Sequence, residues 1–553
     1  MPDPRRALLD ELLPRNARLF VVSNRGPVTF ECTPSSGGPD GARPEPANLT
    51  ASRGSGGLVT AMAEVGRYAP VTWVAAATSE GDRIAAPELQ RAHRPLGTVP
   101  AEDRPTAKRV RDLLDQLLPG QDLRLAYVPI PPDVYGAYYE TVANPFLWFL
   151  QHQMYGLPYG PNVDGPLLDA WRGGYRPANL ALADAVVGAM KGVAHPIVML
   201  QDYHLYLAPA RIREMRPDAT ILHFNHIPWP PESIWQMLPQ NLRRAICEGL
   251  LACDIVGLQT DRYAGHFLDT VASFVRDARV DRDGRSIRWR GRRIRVATYP
   301  ISIDPDGLAR FARSPGVEER LARLEARLQR AGSPRVIVRA DRIEPSKNAL
   351  RGFLAFEALL HRRPELRREV RFVAVHAPTR TSIREYAEYA AAVREVVARI
   401  NGLAEPDDQP IWIYDGSDYA MAIAAMRRAD VVLVNPIVDG MNLVAKEAVL
   451  VGERVPVLIL SETAGAAEQL ASDALSIAPA DVAGTADQLE RALAMPEAER
   501  RVHLRRLRSS VREQDLAWWL RRQLRDLAAI RRGDLPPSRR LRDTVRRVEA
   551  EPA

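Results

Sequence analysis

The chain has 553 residues, 46% of them hydrophobic and 26% charged, which is typical of a soluble globular protein with roughly two to four domains. The net charge of +7 comes from arginines spread among acidic residues without a nucleic-acid-binding motif, so we expect no nucleic-acid partner. The three cysteines have no metal-ligand spacing, and no apolar run is long enough to span a bilayer. We therefore expect a cytoplasmic protein without a bound metal or a membrane segment.

The predicted strands fall into two series along the chain. The first series is at 19–24, 71–77, 196–202, 220–226 and 254–260. The second series is at 335–341, 370–378, 410–416, 430–436 and 455–462. Most are nearly continuous apolar runs separated by helical patterns, as in parallel strands buried on both faces. The pattern predicts an α/β protein with two Rossmann-like, doubly wound parallel-sheet domains.

The chain is predicted to divide into five segments. The predicted segments are an N-terminal extension (1–17), a first domain (18–301), a second domain (302–505), a C-terminal helix (506–532) and a disordered tail (533–553). Within the first domain, residues 31–57 are rich in Pro, Gly and Ser and are predicted to form a mobile loop. Just before the boundary, Asp283-Gly284 and Arg290-Gly291 predict the turns of two hairpins.

Polar residues follow the predicted strands repeatedly. They are Arg25, Asp202 and His226 in the first series and Arg342 and Asp439 in the second. Ligands of open parallel sheets bind beyond the carboxyl ends of the strands. The sequence therefore predicts a cleft between the two sheets.

The stretch "NPIVDGMNLVAKEAVLVG", residues 435–452, predicts a strand, a turn at Asp439-Gly440 and a helix from Asn442. The N–H groups and positive dipole end of such a helix suit a diphosphate. Glu447, within the first turns, could accept hydrogen bonds from ribose hydroxyls. Alternatively, Glu447 only complements the helix dipole and Asp439 only caps a turn.

The stretch "RADRIEPSKN", residues 339–348, contains Lys347, one of four lysines among 71 arginines. Where arginine has replaced lysine nearly everywhere, a remaining lysine suggests a need for a compact ammonium. Arg342 and Lys347 together could neutralise a departing diphosphate. The alternative is a solvated surface pair.

Taken in order, "RADRIEPSKN", "HIPWP", "QDYHL" and "DGMNLVAKE" resemble the trehalose-phosphate synthase family of retaining glycosyltransferases. "SNRGP", "RGSGGLVTA", "YYETVANPFLW" and "LSETAGAAEQL" extend the resemblance over roughly residues 18 to 530. It implies a GT-B architecture, with two Rossmann-like domains facing across a cleft and a C-terminal helix crossing back. It further implies transfer of glucose from UDP- or GDP-glucose to glucose 6-phosphate with retention of configuration. The nucleotide-glucose is then a co-substrate, with no metal or other cofactor, and a homo-oligomer is compatible with the family.

The resemblance assigns roles to individual residues. The catalytic set would be Arg342, Lys347, His226 and Asp439. Donor binding would add Glu447 on the ribose, the main-chain N–H groups of Asn442, Leu443 and Val444, and the loop glycines Gly56 and Gly57. The acceptor side would comprise Arg25, Tyr139, Trp148, Asp202 and Arg380. Packing is the alternative for His226, Tyr139 and Trp148, and a flexible loop tip is the alternative for the two glycines.

Several positions depart from the family pattern. Gln201 replaces a common histidine, and Pro345 and Asn348 replace a tyrosine and a glycine. Arg380 lies one position early, so either a shifted loop or Arg384 would have to meet the acceptor phosphate. The open alternatives are therefore another acceptor, such as glycerol 3-phosphate or a pseudo-sugar, and a non-catalytic regulator that binds sugar phosphate.

Overall fold

The computed structural model describes residues 18–32, 49–54, 62, 65–66, 69–156, 160–379, 383–402 and 404–534. The chain forms two compact units, with the main division between Tyr299 and Pro300. The short stretch His152–Met154 belongs to the second unit, and the described residues from Leu520 to Asp534 belong to the first. None of the described helices is both long enough and apolar enough to cross a membrane.

The first unit contains a nine-stranded sheet and a separate two-stranded hairpin. In chain order their strands are β1 (Leu19–Ser23), β2 (Val28–Cys32), β3 (Leu49–Arg53), β4 (Val71–Ala76), β5 (Leu123–Val128), β6 (Ile197–Gln201), β7 (Thr220–Phe224), β8 (Ile255–Leu258), β9 (Arg279–Asp281), β10 (Ser286–Trp289) and β11 (Arg292–Thr298). The order in the large sheet is β5-β4-β1-β6-β7-β8-β11-β10-β9, with β2 and β3 forming the hairpin. All neighbours are parallel up to β11. The two predicted hairpins then add β10 antiparallel to β11 and β9 antiparallel to β10.

The second unit contains a six-stranded, fully parallel sheet. Its strands are β12 (Arg335–Arg342), β13 (Val370–Ala377), β14 (Ile411–Asp415), β15 (Val431–Val434), β16 (Val457–Ser461) and β17 (Leu475–Ile477). They run in the order β14-β13-β12-β15-β16-β17. This is the Rossmann order, in which consecutive strands extend first to one side of β12 and then to the other.

The helices of the first unit cover its sheet. They are α1 (Glu80–Ala92), α2 (Arg104–Leu117), α3 (Pro132–Gly136), α4 (Trp148–Gln151), α5 (Gly165–Ala170), α6 (Arg176–Ala189), α7 (Ala208–Met215), α8 (Glu232–Trp235), α9 (Gln240–Leu251) and α10 (Asp261–Phe274). Between α3 and α4 the chain forms wider, π-type turns over Ala137–Leu147, which are interrupted by a kink at Asn144, where φ is −130° and ψ is 122°. A second such segment, Trp171–Tyr175, joins α5 to α6.

The helices of the second unit lie between its strands and at its C-terminal end. They are α11 (Pro305–Ala312), α12 (Pro315–Arg330), α13 (Ala349–Arg362), α14 (Leu366–Glu369), α15 (Arg384–Asn401), α16 (Tyr419–Arg428), α17 (Leu443–Val451), α18 (Ala467–Leu470), α19 (Val482–Ala494) and α20 (Glu497–Glu513). A last helix, α21 (Leu516–Arg531), begins in the second unit and continues into the first. Three 3₁₀ turns, two in the first unit at Leu96–Thr98 and Tyr203–Leu205 and one in the second at Pro345–Lys347, complete the described helical structure of the chain.

The predicted fold class of parallel α/β sheets with a helical C-terminus is confirmed, and two predicted segments need correction. Residues 31–57 do not form an uninterrupted loop, because Glu31 and Cys32 end β2 and pair with β3. Phe30 donates its N–H to Asp82 at the start of α1, which holds the hairpin in place. The predicted helix 506–532 is interrupted between α20 and α21, because the Asp515 carboxylate accepts the N–H of Trp518 and starts a new helix.

Candidate active site

In the second unit, the key residues lie where the strand order reverses. Strands β12 and β15 are neighbours, with Ile337 opposite Val431, while β13 and β16 extend the sheet on either side. A crevice opens at the carboxyl ends of two strands at such a point. Lys347 follows β12 and Asp439 follows β15, so the topology of this unit brings them to the same place.

Lys347 and Asp439 form a nearly buried ion pair. The lysine Nζ lies 2.5 Å from Oδ2 of Asp439, and the two side chains are 13% and 14% exposed. Asn442 donates its amide to the same oxygen at 3.1 Å. Burial alone would lower the pKa of Lys347, but the combined attraction of Asp439, Glu344 and Asp341 outweighs it and raises that pKa. Burial would likewise raise the pKa of Asp439, but Lys347 lowers it, so both groups stay charged at neutral pH.

A buried arginine fixes the backbone of Lys347. The guanidinium of Arg339 is fully buried and donates to the main-chain oxygen of Lys347 at 3.0 Å and to Asp341 at 2.9 Å. Asn348 adopts a left-handed conformation with φ 59°, which asparagine tolerates better than most residues. Its amide donates to the main-chain oxygens of Asn435 and Pro479 at 2.9 and 2.7 Å. Asn348 therefore supports this left-handed turn and ties it to two other segments by hydrogen bonds.

Arg342 ends β12 with a half-exposed side chain, 49% accessible. Its Nη2 contacts Oε1 of Glu344 at 3.1 Å, and the buried Glu344 also accepts a hydrogen bond from Ser346. The glutamate thus orients a guanidinium that still has solvent-accessible N–H donors. Such a group can bind an oxyanion through two parallel hydrogen bonds.

The loop after β15 is held by the loop after β16. The N–H of Gly465 donates to the main-chain oxygen of Asp439 at 3.0 Å. A Cβ at Gly465 would lie 1.9 Å from the main-chain oxygen of Gly440, so only glycine permits this approach. Asn442 then caps α17 by accepting the N–H of Ala445. The N–H groups of Leu443 and Val444 are in the first turn, where a helix offers no acceptors of its own.

Glu447 lies one turn further along α17, where Tyr419 donates its hydroxyl to Oε1 at 2.9 Å. Burial raises the pKa of Glu447, and the hydrogen bond from Tyr419 counteracts part of that effect. A carboxylate held in this way retains a second oxygen that can accept hydrogen bonds from vicinal hydroxyls.

In the first unit, the strand order reverses between β1 and β6, and the sequence-predicted residues again follow those strands. Arg25 comes after β1 and donates to the hydroxyl of Tyr139 at 3.2 Å. The ring of Tyr139 stacks between His204, at 5.8 Å, and Tyr135, at 5.6 Å. We call Arg25, Tyr139, His204 and Tyr135 the Arg25 cluster. It offers an exposed cation beside a wall of polar aromatic rings.

Asp202 follows β6 and organises the end of β7. It has an unusual φ of 74°, and its carboxylate accepts the N–H of His226 at 3.0 Å. The Nε2 atom of His226 lies 2.9 Å from the side-chain amide of Gln201, within hydrogen-bond distance. Burial and the neighbouring His223 lower the pKa of His226 to about 3. His226 is therefore neutral at physiological pH.

The other sequence-predicted residues are less well supported by geometry. Trp148 is only 2% exposed and packs against Phe149, which favours its packing interpretation. Gly56, Gly57 and Arg380 lie outside the described residues. Arg384, the alternative cation, lies at the exposed start of α15 with Glu388 at 3.8 Å.

Sequence reasoning gave no role to several residues that shape these sites. They are Arg339, Tyr135, His204 and Tyr419. A charged residue inside the apolar run "VIVRAD" was a usable signal for Arg339, because a buried arginine must find several acceptors. Tyr135 lies four residues before Tyr139, a helical spacing that could have indicated their contact. No local pattern indicates His204 and Tyr419, since their contacts with Tyr139 and Glu447 join distant segments.

Comparisons with known proteins agree on one family. The model of glycosyltransferase family 20 matches residues 17–529. Validamine 7-phosphate valienyltransferase of Streptomyces hygroscopicus subsp. jinggangensis is 31% identical over 93% of this chain and 95% of its own length. The UDP-forming alpha,alpha-trehalose-phosphate synthase of Schizosaccharomyces pombe is 30% identical over 97% of this chain and 95% of its own.

Two solved structures have the same fold. The trehalose-phosphate synthase of Burkholderia xenovorans in complex with glucose 6-phosphate has a TM-score of 0.73 at 26% identity, covering 92% of this chain and all of the other. The E. coli protein bound with UDP-2-fluoro glucose also has a TM-score of 0.73, at 27% identity, covering 93% of this chain and 99% of the other.

Proposed function

Because the chain belongs to glycosyltransferase family 20, we propose that it transfers glucose from a nucleotide-glucose to glucose 6-phosphate and forms trehalose 6-phosphate. The Lys347–Asp439 pair, held at the strand reversal of the second unit, carries this proposal. It combines a fixed cation for a diphosphate with a carboxylate for sugar hydroxyls. Relatives and solved structures of this family with trehalose-phosphate synthase activity in their names support the assignment.

The donor would bind to the second unit. The ammonium of Lys347 has three N–H donors, and Asp439 occupies one of them, which leaves the others for diphosphate oxygens. The guanidinium of Arg342 and the first N–H groups of α17 would add hydrogen bonds to the same diphosphate. Glu447 would accept the ribose hydroxyls, and Asp439 would accept hydroxyls of the glucose.

The acceptor would bind to the first unit. Arg25 would pair with its phosphate, and Asp202 would accept a sugar hydroxyl. Tyr139 already contacts Arg25 and would form part of the same pocket. His226, being neutral, would act near the transferred glucose as a hydrogen-bonding group and not as a titrating acid or base.

The proposed chemistry forms one bond and breaks one bond on the same face of the sugar. The bond between glucose C1 and the diphosphate oxygen breaks as C1 bonds to the acceptor hydroxyl oxygen. The hydroxyl proton passes to the departing diphosphate oxygen. The protein would lower the barrier by orienting both substrates and by stabilising the growing negative charge with Lys347 and Arg342.

A matrix of donors and acceptors tests this function. UDP-glucose and GDP-glucose are each mixed with glucose 6-phosphate or glycerol 3-phosphate, and release of the nucleoside diphosphate and the product are measured. We expect release with glucose 6-phosphate and an α,α-linked product. Release only with glycerol 3-phosphate would refute the proposed acceptor, and no release with any pair would favour a non-catalytic regulator.

One comparison favours a second candidate, the transfer of a pseudo-sugar. A relative that is 31% identical over nearly the whole chain is a validamine 7-phosphate valienyltransferase. The one-position displacement of Arg380 also leaves the acceptor site as the part of the sequence that departs most from the synthase pattern. Adding validamine 7-phosphate and a nucleotide-activated valienyl donor to the matrix distinguishes this candidate from the first.

A further inference from the structure

Two large apolar side chains that are exposed lie against each other in the second unit. Phe311, near the end of α11, is 37% exposed, and Tyr419, at the start of α16, is 48% exposed. Their ring centroids are 5.1 Å apart and their planes are inclined by 25°. We call these two residues the aromatic pair. Grouped apolar exposure of this kind often marks a binding surface.

The hydroxyl of Tyr419 ties the aromatic pair to Glu447. Its 2.9 Å hydrogen bond to Oε1 is the one hydrogen bond that the Glu447 side chain makes within the described part of the chain. The ring of Tyr419 is therefore fixed beside Glu447, the carboxylate that binds the ribose in the proposed function. The other carboxylate oxygen, Oε2, remains for the ribose hydroxyls.

The chemistry of a nucleotide places its base near this ring. The base is attached to C1′, and C2′ next to it carries one of the hydroxyls that a ribose-binding carboxylate accepts. A base joined to a ribose at Glu447 therefore lies within reach of the ring that donates to Glu447. Aromatic rings stack on every base, because all bases have a π-face.

The neighbouring carboxylate, Asp418, is not expected to hydrogen-bond to the base. Asp418 accepts the N–H of Met421 at 2.9 Å through one oxygen and the Nε of Arg320 at 2.6 Å through the other. Both oxygens of Asp418, the residue before Tyr419, thus already accept hydrogen bonds, one from the start of α16 and one from α12. The surface around the aromatic pair offers stacking more than hydrogen-bonding selection.

We propose that the aromatic pair binds the nucleobase of the donor, with the base on the face of Tyr419 opposite Phe311. This inference rests on the proposed function, which supplies the role of Glu447. It assigns the pair a part in donor affinity and not in the choice between bases. Loss of the ring should weaken the binding of UDP and of GDP by a similar factor.

Binding to matched variants tests this proposal. Calorimetry measures UDP, GDP and the base-free ribose 5-diphosphate on the wild-type protein, Tyr419→Phe and Tyr419→Ala. Both variants lack the hydroxyl, but only Tyr419→Ala lacks the ring. We expect Tyr419→Ala to bind both nucleotides about tenfold more weakly than Tyr419→Phe, with equal binding of ribose 5-diphosphate. Phe311→Ala should weaken UDP binding in the same direction, and Val502→Ala, which changes another exposed apolar residue, should not.

Three results would overturn the proposal. Equal UDP affinity of Tyr419→Phe and Tyr419→Ala would show that the ring contributes nothing. A parallel loss for ribose 5-diphosphate would show that the ring only positions Glu447. Failure of the wild-type protein to bind any of the three probes would refute the proposed function together with this inference, whereas wild-type binding with unaffected variants would refute this inference alone.

Discussion

At the scale of single residues, Lys347 is held where a compact cation fits. Its backbone is fixed by Arg339 and its ammonium by Asp439. Arginine would carry the same charge, but its planar guanidinium is larger and differs in geometry from an ammonium. The survival of this lysine in a chain of 71 arginines is consistent with that restriction.

Replacing Lys347 should therefore affect catalysis far more than folding. We expect Lys347→Ala to lower turnover by about 10²–10³-fold, because a pre-positioned charge on the leaving group is lost. Lys347→Arg should recover only part of that loss. Steady-state kinetics give the result, with Lys191→Ala, a change at an exposed lysine, as the control. Near-normal turnover of Lys347→Ala would contradict the assigned role.

Removing the other partner should affect stability. Asp439→Asn leaves the ammonium of Lys347 without its counter-charge, and we expect the free energy of unfolding to fall by about 3 kcal/mol. Chemical denaturation measures it, and the double variant Lys347→Met/Asp439→Asn should lose less than Asp439→Asn alone. A double variant that is as unstable as the single one would show that the unpaired charge is not the cause.

The Lys347–Asp439 pair should contribute equally to stability over a wide range of pH. Folding lowers the pKa of Asp439, so its contribution is complete above the unfolded value of about 3.9 and is lost as pH falls through the folded value. Folding raises the pKa of Lys347, so its contribution is complete below about 10.4 and is lost as pH rises through the folded value. The difference between wild type and Asp439→Asn should thus be constant from about pH 5 to 9.

At the scale of elements, α17 is anchored by a second lysine. Lys446 is fully buried, and its Nζ donates to the main-chain oxygen of Ile301 at 2.8 Å. Burial lowers its pKa to about 7. The helix that carries Glu447 is thereby joined to the segment that opens the main part of the second unit.

Lys446 should make stability depend on pH with the opposite sign to Lys347, because folding lowers the pKa of Lys446 and raises that of Lys347. Between about pH 7 and 10.4 the unfolded chain holds a proton that the folded chain has lost, so stability rises with pH by up to about 1.4 kcal/mol per unit. Lys446→Met should lack this rise. Urea denaturation of both proteins from pH 6 to 10 measures it, and parallel curves would show that Lys446 is not the titrating group.

Elements built from continuous apolar runs could be predicted from the sequence, and those built from exposed or short segments could not. Strand β15 is wholly apolar, and β12 contains the apolar run Val336–Val338, so both runs indicated a buried parallel sheet. Strand β5 alternates in burial at the edge of its sheet, and β17 has three residues, so neither produced a recognisable run. Strands β2 and β3 flank a segment rich in Pro, Gly and Ser. The composition of that segment led to the prediction of a loop over the strands as well.

The same limit applies to the candidate site. Arg342, Lys347 and Asp439 could be found because each follows a strong strand and belongs to a recognisable motif. The contacts of Tyr139 with His204 and of Tyr419 with Glu447 join segments 65 and 28 residues apart in the sequence. Only the folded topology brings such residues together.

At the scale of the whole molecule, each unit has its own strand reversal and its own set of polar side chains. The second contains the Lys347–Asp439 pair with Glu447, and the first contains the Arg25 cluster with Asp202. Their chemistry differs, because the second set suits a diphosphate and a ribose while the first suits a sugar phosphate. The division of labour between the two substrates should therefore be visible in each unit separately.

Hydrogen exchange measured by mass spectrometry tests this division. Addition of UDP should slow amide exchange in segments 342–348 and 439–447 of the second unit, because a ligand that binds only the folded state opposes local opening. Glucose 6-phosphate alone should slow exchange near Arg25, Tyr139 and Asp202 in the first unit. Lys347→Ala should abolish the UDP effect and leave the sugar-phosphate effect intact. Protection of the second unit by glucose 6-phosphate alone would mean that the acceptor site has been placed in the wrong unit.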